Sequence, residues 1–263
     1  MKRFLIILTA LLAAVPSADV SAWGRKGHET IAKIAERNLT THAKEVVERY
    51  LDGHSIVYYA KWLDEYRETP EYGFTSTWHG TPLDENNRYT DALLEPEGNA
   101  VYGIELALDN LRDYKSQSDS TVCVNIKYLL HLVGDMHCPV HLRYPGRDMW
   151  SSVWLRDVYN NPVRMSIHLV WDNGVIDMTR IWSVSEWAEE LDRWSDERKA
   201  AVTKGTPRDW LNESADDCLV QFELSKPDDY LGQEFYNRAL PLIESQITKA
   251  GYRLASLLNK LFN

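Results

Sequence analysis

Residues 128–141 read Tyr-Leu-Leu-His-Leu-Val-Gly-Asp-Met-His-Cys-Pro-Val-His. Within this stretch, His131 and Asp135 are four residues apart. On an α-helix that spacing places two side chains on one face, one turn apart. Most of the residues around them are apolar. The stretch therefore predicts an apolar helix that presents an imidazole and a carboxylate side by side.

Pro139 decides where this helix stops, because proline cannot continue a helix and pushes the preceding residue out of helical geometry. We expect the helix to end near Met136 or His137, with His141 returning from the following turn. Two imidazoles and a carboxylate would then converge, and these ligand types suit zinc. The alternative is a capped helix whose histidines are satisfied within the core.

The first 22 residues predict a secretory signal peptide. Lys2 and Arg3 give a basic start, residues 4–15 are an apolar run too short to span a membrane, and Val20-Ser21-Ala22 is a small-residue cleavage site. A short N-terminal anchor is the alternative. With the signal removed, residues 23–263 would form one exported domain, periplasmic or secreted, without membrane insertion. We expect this domain to be a monomer.

The formal net charge of −10 argues against a nucleic-acid binder that works through a broad basic surface. It does not exclude a site whose positive charge comes from bound cations. The three cysteines allow one disulfide and one spare thiol, or none. No Cys-x-x-Cys spacing is present, so we do not expect cysteine ligands.

The chain as a whole predicts an all-α fold with a small β-hairpin. Apolar spacing typical of helices recurs in residues 27–38, 41–51, 55–66, 100–114, 120–137, 178–192, 207–222 and 233–261. Residues 153–167 alternate in polarity and turn at Asn160-Asn161-Pro162, as a hairpin does. The segments 69–99 and 143–152 lack a regular pattern, and long loops in compact domains are often functional.

Several of the eight histidines lie in frames that suggest ligands. Outside residues 128–141 these frames are Trp23…His28, Trp62-Leu63-Asp64, Trp78-His79 and His168-x-x-x-Asp172. Each has a plainer interpretation, because tryptophans are usually core aromatics and i, i+4 pairs are common ion pairs on helices. His42 and His54 flank the second helix and are expected to be surface residues.

Taken in order, these residues resemble the zinc-dependent single-strand-specific nucleases (S1/P1 type) of fungi, plants and bacteria, which are related to bacterial zinc phospholipase C. The resemblance runs from Trp23 to Asp172 and covers nine ligand-type positions. It implies a phospholipase C/nuclease-type helical fold that binds three zinc ions. His28 lies only five residues after Trp23, and the last carboxylate is Asp rather than Glu; both features are similar to the nuclease branch.

The resemblance also implies a ligand set for each zinc ion. The first set is Asp64, His79, His131 and Asp135. The second set is His141, His168 and Asp172. The third set is the α-amine and carbonyl of Trp23, His28 and the other oxygen of Asp135. Signal-peptide removal would create the amine ligand, whose pKa is lower than that of lysine.

The implied reaction is phosphodiester hydrolysis. A hydroxide bridging the first and third zinc ions would attack phosphorus in line, and the second zinc would stabilise the leaving 3′ oxygen. Asp64 would orient the attacking water. Arg67, where the family carries a basic residue, would stabilise the charge of the transition state; its plain alternative is a solvated helix face.

Two segments depart from the family pattern. Gly80-Thr81-Pro82 stands where an aromatic residue usually follows the loop histidine, and residues 146–152 lack the family's Gly-Gly-Asn. A rebuilt substrate pocket is therefore expected beside intact metal chemistry. Trp150 or Trp154 offers a possible stacking surface, although a core position is the simpler expectation for both.

The sequence thus predicts an exported, trizinc phosphodiesterase acting on single-stranded DNA or RNA, with possible 3′-nucleotidase activity. Two alternatives remain. One is a zinc phosphoesterase for another ester, such as a phospholipid, and the other is a zinc-holding binding protein without turnover.

Overall fold

The computed structural model describes residues 23–263, so the predicted signal peptide lies outside the described residues. The helix Asp119–Asp135, called the central helix below, lies in the middle of the core. The Ser118 side chain caps its N-terminus by accepting a hydrogen bond from the Thr121 amide. Its C-cap is Met136, which confirms the end predicted from Pro139. The second half of this helix is buried around its whole circumference.

Two long helices flank the central helix. Ala100–Leu111 packs closely against it, because a side chain at Gly103 would meet Leu132 at 2.6 Å. The C-terminal helix Gln233–Phe262 packs against both the central helix and the first helix, Arg25–Arg37. These four helices therefore build the frame from which the ends of shorter segments project.

Shorter helices complete the molecule. The α-helices are Thr41–Tyr50, Trp62–Tyr66, Val184–Leu191, Asp196–Val202, Pro207–Asp217 and Gln221–Leu224. Single 3₁₀ segments lie at Ile56–Tyr59, Gly73–His79, Asp91–Leu93, Tyr114–Ser116, Pro139–His141 and Cys218–Val220. The predicted all-α class is confirmed, since helices dominate the described residues.

The strands are few. Ser152–Arg156 pairs antiparallel with Pro162–Ser166, which confirms the predicted hairpin. The strand Tyr230–Leu231, which the sequence did not indicate, adds to the hairpin in parallel. A second, two-residue pairing joins Thr81–Pro82 to Leu142–Arg143.

Some predicted helices are wrong in detail. The helix expected at residues 55–66 is a 3₁₀ turn followed by Trp62–Tyr66. The predicted helix at 178–192 begins only at Val184, where Ser183 and Glu186 form a capping box. Residues 167–177 were not predicted to be helical, yet they form two short α-helical turns around a π-helical turn, Val170–Gly174.

Among the described residues, no helix combines the length and apolar character needed to cross a bilayer.

Candidate metal centre

The structure brings the predicted site residues together at one end of the central helix. All nine proposed ligand residues are buried: Trp23, His28, Asp64, His79, His131, Asp135, His141, His168 and Asp172. They come from the start of the first helix, the short helix Trp62–Tyr66, two 3₁₀ segments, the central helix and the π-helical region. Residues far apart in sequence thus converge, as the order of the motifs predicts.

The first cluster has the dimensions of a tetrahedral site. His131 Nε2 lies 3.2 Å from His79 Nδ1, and each of these nitrogens lies 3.5 Å from Asp64 Oδ1. Asp135 Oδ2 lies 3.1 Å from the His79 nitrogen and 3.4 Å from the His131 nitrogen. Zinc ligands at about 2.0–2.1 Å in tetrahedral geometry are about 3.3–3.4 Å from each other. The four atoms therefore stand at the spacing that a zinc ion requires.

Backbone carbonyls orient two of the imidazoles. His131 Nδ1 is hydrogen-bonded to the carbonyl of Ala60 at 2.9 Å, and His141 Nδ1 to the carbonyl of His79. A ring nitrogen that donates to a carbonyl leaves the other nitrogen unprotonated and free to bind a metal. In both rings that other nitrogen is Nε2, which faces the neighbouring carboxylates.

Asp135 connects the first cluster to a second group of ligands. Its Oδ1 lies 3.2 Å from His28 Nε2, whereas its Oδ2 faces the first cluster. The His28 ring stacks on His131 with centroids 4.0 Å apart. Gly134 makes room for this ring, because a β-carbon there would lie 2.9 Å from His28 Nδ1. One carboxylate can therefore serve two adjacent metal ions.

The N-terminal end of the described chain lies beside these ligands. The buried Trp23 donates its indole N–H to the Gly134 carbonyl at 2.8 Å. The Gly24 amide donates to the backbone carbonyl of Asp172 at 3.0 Å. Residue 23 is thus tied to the residue before one ligand, Asp135, and its neighbour is tied to another, Asp172.

A third cluster surrounds Asp172. Its Oδ1 lies 3.7 Å from His141 Nε2, and its Oδ2 lies 4.0 Å from His168 Nε2. The π-helical turn carries Asp172, and π turns frequently occur at functional sites. The Cys138 sulfur also approaches this carboxylate and completes a compact group with His141 and Asp172. The sequence gave no expectation of a cysteine here.

Many polar atoms of these clusters have no hydrogen-bond partner. They are both ring nitrogens of His28, His79 Nε2, both carboxylate oxygens of Asp135, His141 Nε2, His168 Nε2 and Asp172 Oδ2. A buried polar atom without a partner costs about 1–3 kcal/mol. The concentration of such atoms at one place is what a cation-binding site requires, and the residues present fit the zinc ions that the resemblance implies.

Electrostatics point to the same requirement. Burial raises the pKa of the Asp135 and Asp172 carboxyls well above the usual range, and neighbouring carboxylates raise both further. Their ionised forms are therefore disfavoured by the protein alone. A bound cation would stabilise these charges, and its binding would release protons.

The imidazoles are shifted in two directions. Burial, aided by the nearby His168, lowers the pKa of His141 to about 3, and burial lowers that of His168 to about 4. Both rings are therefore neutral, as metal ligands must be. His131 differs: burial opposes its ionisation, but the carboxylates of Asp135 and Asp64 raise its pKa to about 9. A metal at His131 has to displace a proton.

A cleft of about 520 Å³ opens in front of His79, His141 and His168. Three arginines, Arg67, Arg143 and Arg147, line it, and none of the described residues that line it is acidic. In a chain of net charge −10, this local excess of positive charge favours an anionic ligand.

Trp150 stands at the rim of this cleft. Its side chain is 62% exposed, and its ring lies parallel to that of His168 with centroids 4.8 Å apart. The Asp148 side chain accepts a hydrogen bond from the Trp150 amide, and the His168 amide donates to the Met149 carbonyl. The expectation of a core position is wrong for Trp150, and also for Trp154, which is 42% exposed on the hairpin.

The remaining histidines have the plain roles that the sequence suggested. His137 is buried and satisfied, with Nδ1 bonded to the Val133 carbonyl and Nε2 to Arg253. His42 and His54 are exposed. Trp62, Trp78 and Trp171 are core aromatics, as expected. All three cysteines are free thiols.

Comparisons with known proteins agree with the region that carries the site. The family model for S1/P1 Nuclease matches residues 23–263. "Endonuclease 5" of Arabidopsis thaliana is 25% identical, over 92% of this chain and 90% of its own length. "Nuclease S1" of Aspergillus oryzae is 24% identical over 98% of each chain, and "Nuclease P1" of Penicillium citrinum is 25% identical over 91% of this chain and 97% of its own.

Proposed function

The chain belongs to the S1/P1 nuclease family, and from this premise we propose that it is a zinc-dependent nuclease that hydrolyses single-stranded DNA or RNA. Family membership makes the chain a nuclease and phosphodiester hydrolysis its reaction class. The finer assignments, namely the metal, its stoichiometry and the strand preference, are our proposal.

The observation that carries the proposal is the tetrahedral spacing of the four atoms from Asp64, His79, His131 and Asp135. Two imidazole nitrogens and two carboxylate oxygens form a donor set typical of zinc. The shared carboxylate of Asp135 and the groups around Asp172 supply donors for two further ions. Bound zinc would act as a Lewis acid and would lower the pKa of a water molecule near the phosphate.

The protein groups then have separate tasks. Asp64 holds metal through Oδ1, and its carboxylate is placed to orient a water molecule. Arg67 lines the cleft, and its Nη1 lies 3.8 Å from Asp64 Oδ1. From there its guanidinium can pair with the phosphate oxygens on which negative charge grows during attack.

The cleft supports a nucleic-acid substrate. Arginines suit a phosphate backbone, and the exposed ring of Trp150 offers a face on which an unpaired base can stack. In a duplex the bases are stacked on one another, so this face is available only to a single strand. We propose that the protein acts as an exported monomer, with the first 22 residues removed.

Trp150→Ala is expected to raise KM for a single-stranded oligonucleotide about tenfold with little change in kcat, because base stacking on an aromatic ring is worth about 1–3 kcal/mol. Trp154→Ala is the matched control, since Trp154 is also exposed but does not line the cleft. Steady-state kinetics at equal metal content provide the measurement. Equal effects of the two substitutions would remove Trp150 from substrate binding.

The proposed function is tested with zinc-loaded protein that begins at Trp23. It should cleave a single-stranded oligonucleotide at least about tenfold faster than the same sequence as a duplex, and a chelator should stop the reaction. Phosphatidylcholine vesicles and a nucleoside 3′-phosphate complete the panel. Hydrolysis of the phospholipid alone would move the assignment to another phosphate ester, and retained zinc without any hydrolysis would indicate a binding protein.

A further inference from the structure

The thiol of Cys138 lies inside the metal centre. Cys138 follows the end of the central helix, is fully buried and lies with its sulfur 3.6 Å from Asp172 Oδ1. Ligand atoms of Cys138, His141 and Asp172 are all within 4.8 Å of one another. The activity described above assigns no task to this sulfur.

The spacing fits a sulfur ligand. Zinc lies about 2.3 Å from thiolate sulfur and about 2.0–2.2 Å from carboxylate oxygen, so a tetrahedral site places sulfur and oxygen about 3.5–3.7 Å apart. The observed 3.6 Å agrees with that separation. We propose that Cys138 binds the second metal ion as a thiolate, together with His141, His168 and Asp172. The inference rests on the proposed metal-dependent function.

Two independent observations favour a ligand over a buried thiol that merely donates a hydrogen bond to Asp172. His141 Nε2 and Asp172 Oδ2 are buried and have no hydrogen-bond partner, and a thiol pointing at Asp172 Oδ1 satisfies neither atom. A metal ion held by the sulfur, the imidazoles and the carboxylate would satisfy them. On binding, the thiol proton leaves to solvent as the sulfur–metal bond forms.

A fourth protein donor changes the character of this ion. Catalytic zinc sites typically have three protein ligands and one open position, whereas four protein ligands close the first shell. Thiolate also favours softer metals. We therefore expect the second metal to be held more tightly than a site of two imidazoles and one carboxylate would hold it. With Cys138→Ser, a chelator should remove one metal equivalent at least about tenfold faster.

Cobalt substitution tests the assignment by absorption spectroscopy. The chain has three cysteines, so the double variant Cys123→Ser/Cys218→Ser retains Cys138 as its single thiol. We expect the cobalt-loaded protein from Trp23 to Asn263, and this double variant, to show a near-ultraviolet sulfur-to-cobalt charge-transfer band besides the visible ligand-field bands. Cys218→Ser alone is the matched control, because Cys218 is equally buried.

The outcomes separate the inference from the proposed function. In Cys138→Ser the charge-transfer band should vanish while the ligand-field bands remain. Ligand-field bands without a charge-transfer band in the double variant would overturn the sulfur ligand and leave the metal centre intact. Absence of ligand-field bands in the unaltered protein would overturn both.

Discussion

Asp135→Asn is expected to lower kcat/KM for a single-stranded oligonucleotide at least about a thousandfold, which corresponds to about 4 kcal/mol of transition-state stabilisation. Asp135 is the residue whose two oxygens face different ligands, His28 on one side and His79 with His131 on the other. An amide keeps the shape of the side chain but loses its negative charge and offers one oxygen. Two metal sites are therefore impaired by one substitution.

Metal content measured beside activity distinguishes this account from a loss of folding. The variant should bind fewer than three zinc ions per chain and keep its helical circular dichroism spectrum. Asp109→Asn, at an exposed aspartate of the neighbouring helix Ala100–Leu111, should change neither quantity. An Asp135→Asn variant with full zinc and full activity would contradict the shared carboxylate.

Extra residues before Trp23 are expected to lower kcat/KM about a hundredfold and to leave the protein short of one metal ion. The α-amine of a chain that starts at Trp23 has a pKa near 8, well below that of lysine, so it releases its proton to a metal readily. A peptide nitrogen in an extended chain is a much poorer donor. The hydrogen bonds of the Trp23 indole and the Gly24 amide fix this end of the chain beside Asp135 and Asp172.

The control is the same extension placed after Asn263, which is exposed at the end of the C-terminal helix. Activity and zinc content should be unchanged there. Protease removal of the N-terminal extension back to Trp23 should restore both quantities. If the extended protein is as active and as zinc-rich as the trimmed one, the α-amine has no part in the site.

Local rules account for what the sequence predicted well. The spacing of His131 and Asp135, with Pro139 beyond them, defined the central helix and its end. The alternation around Asn160-Asn161-Pro162 defined the hairpin. These features depend on residues close in sequence, where helix periodicity and turn chemistry determine the backbone.

Tertiary context accounts for what the sequence did not predict. The π-helical turn that carries Asp172 has no distinctive side-chain pattern, and the Gly24 amide, distant in sequence, bonds the Asp172 carbonyl. The approach of Cys138 to Asp172 joins the end of one helix to another segment, so no short cysteine spacing announces it. The exposure of Trp150 depends on how residues 148–151 are bonded to the chain around His168.

The central claim is that one buried centre holds the zinc ions on which hydrolysis depends. Elemental analysis of the protein beginning at Trp23, during stepwise zinc addition to the metal-free form, tests it most directly when hydrolysis is measured on the same samples. The account predicts three zinc ions per chain and activity that rises only as the sites fill. Full hydrolysis of the oligonucleotide by protein without zinc, or saturation of the chain below two ions, would contradict it.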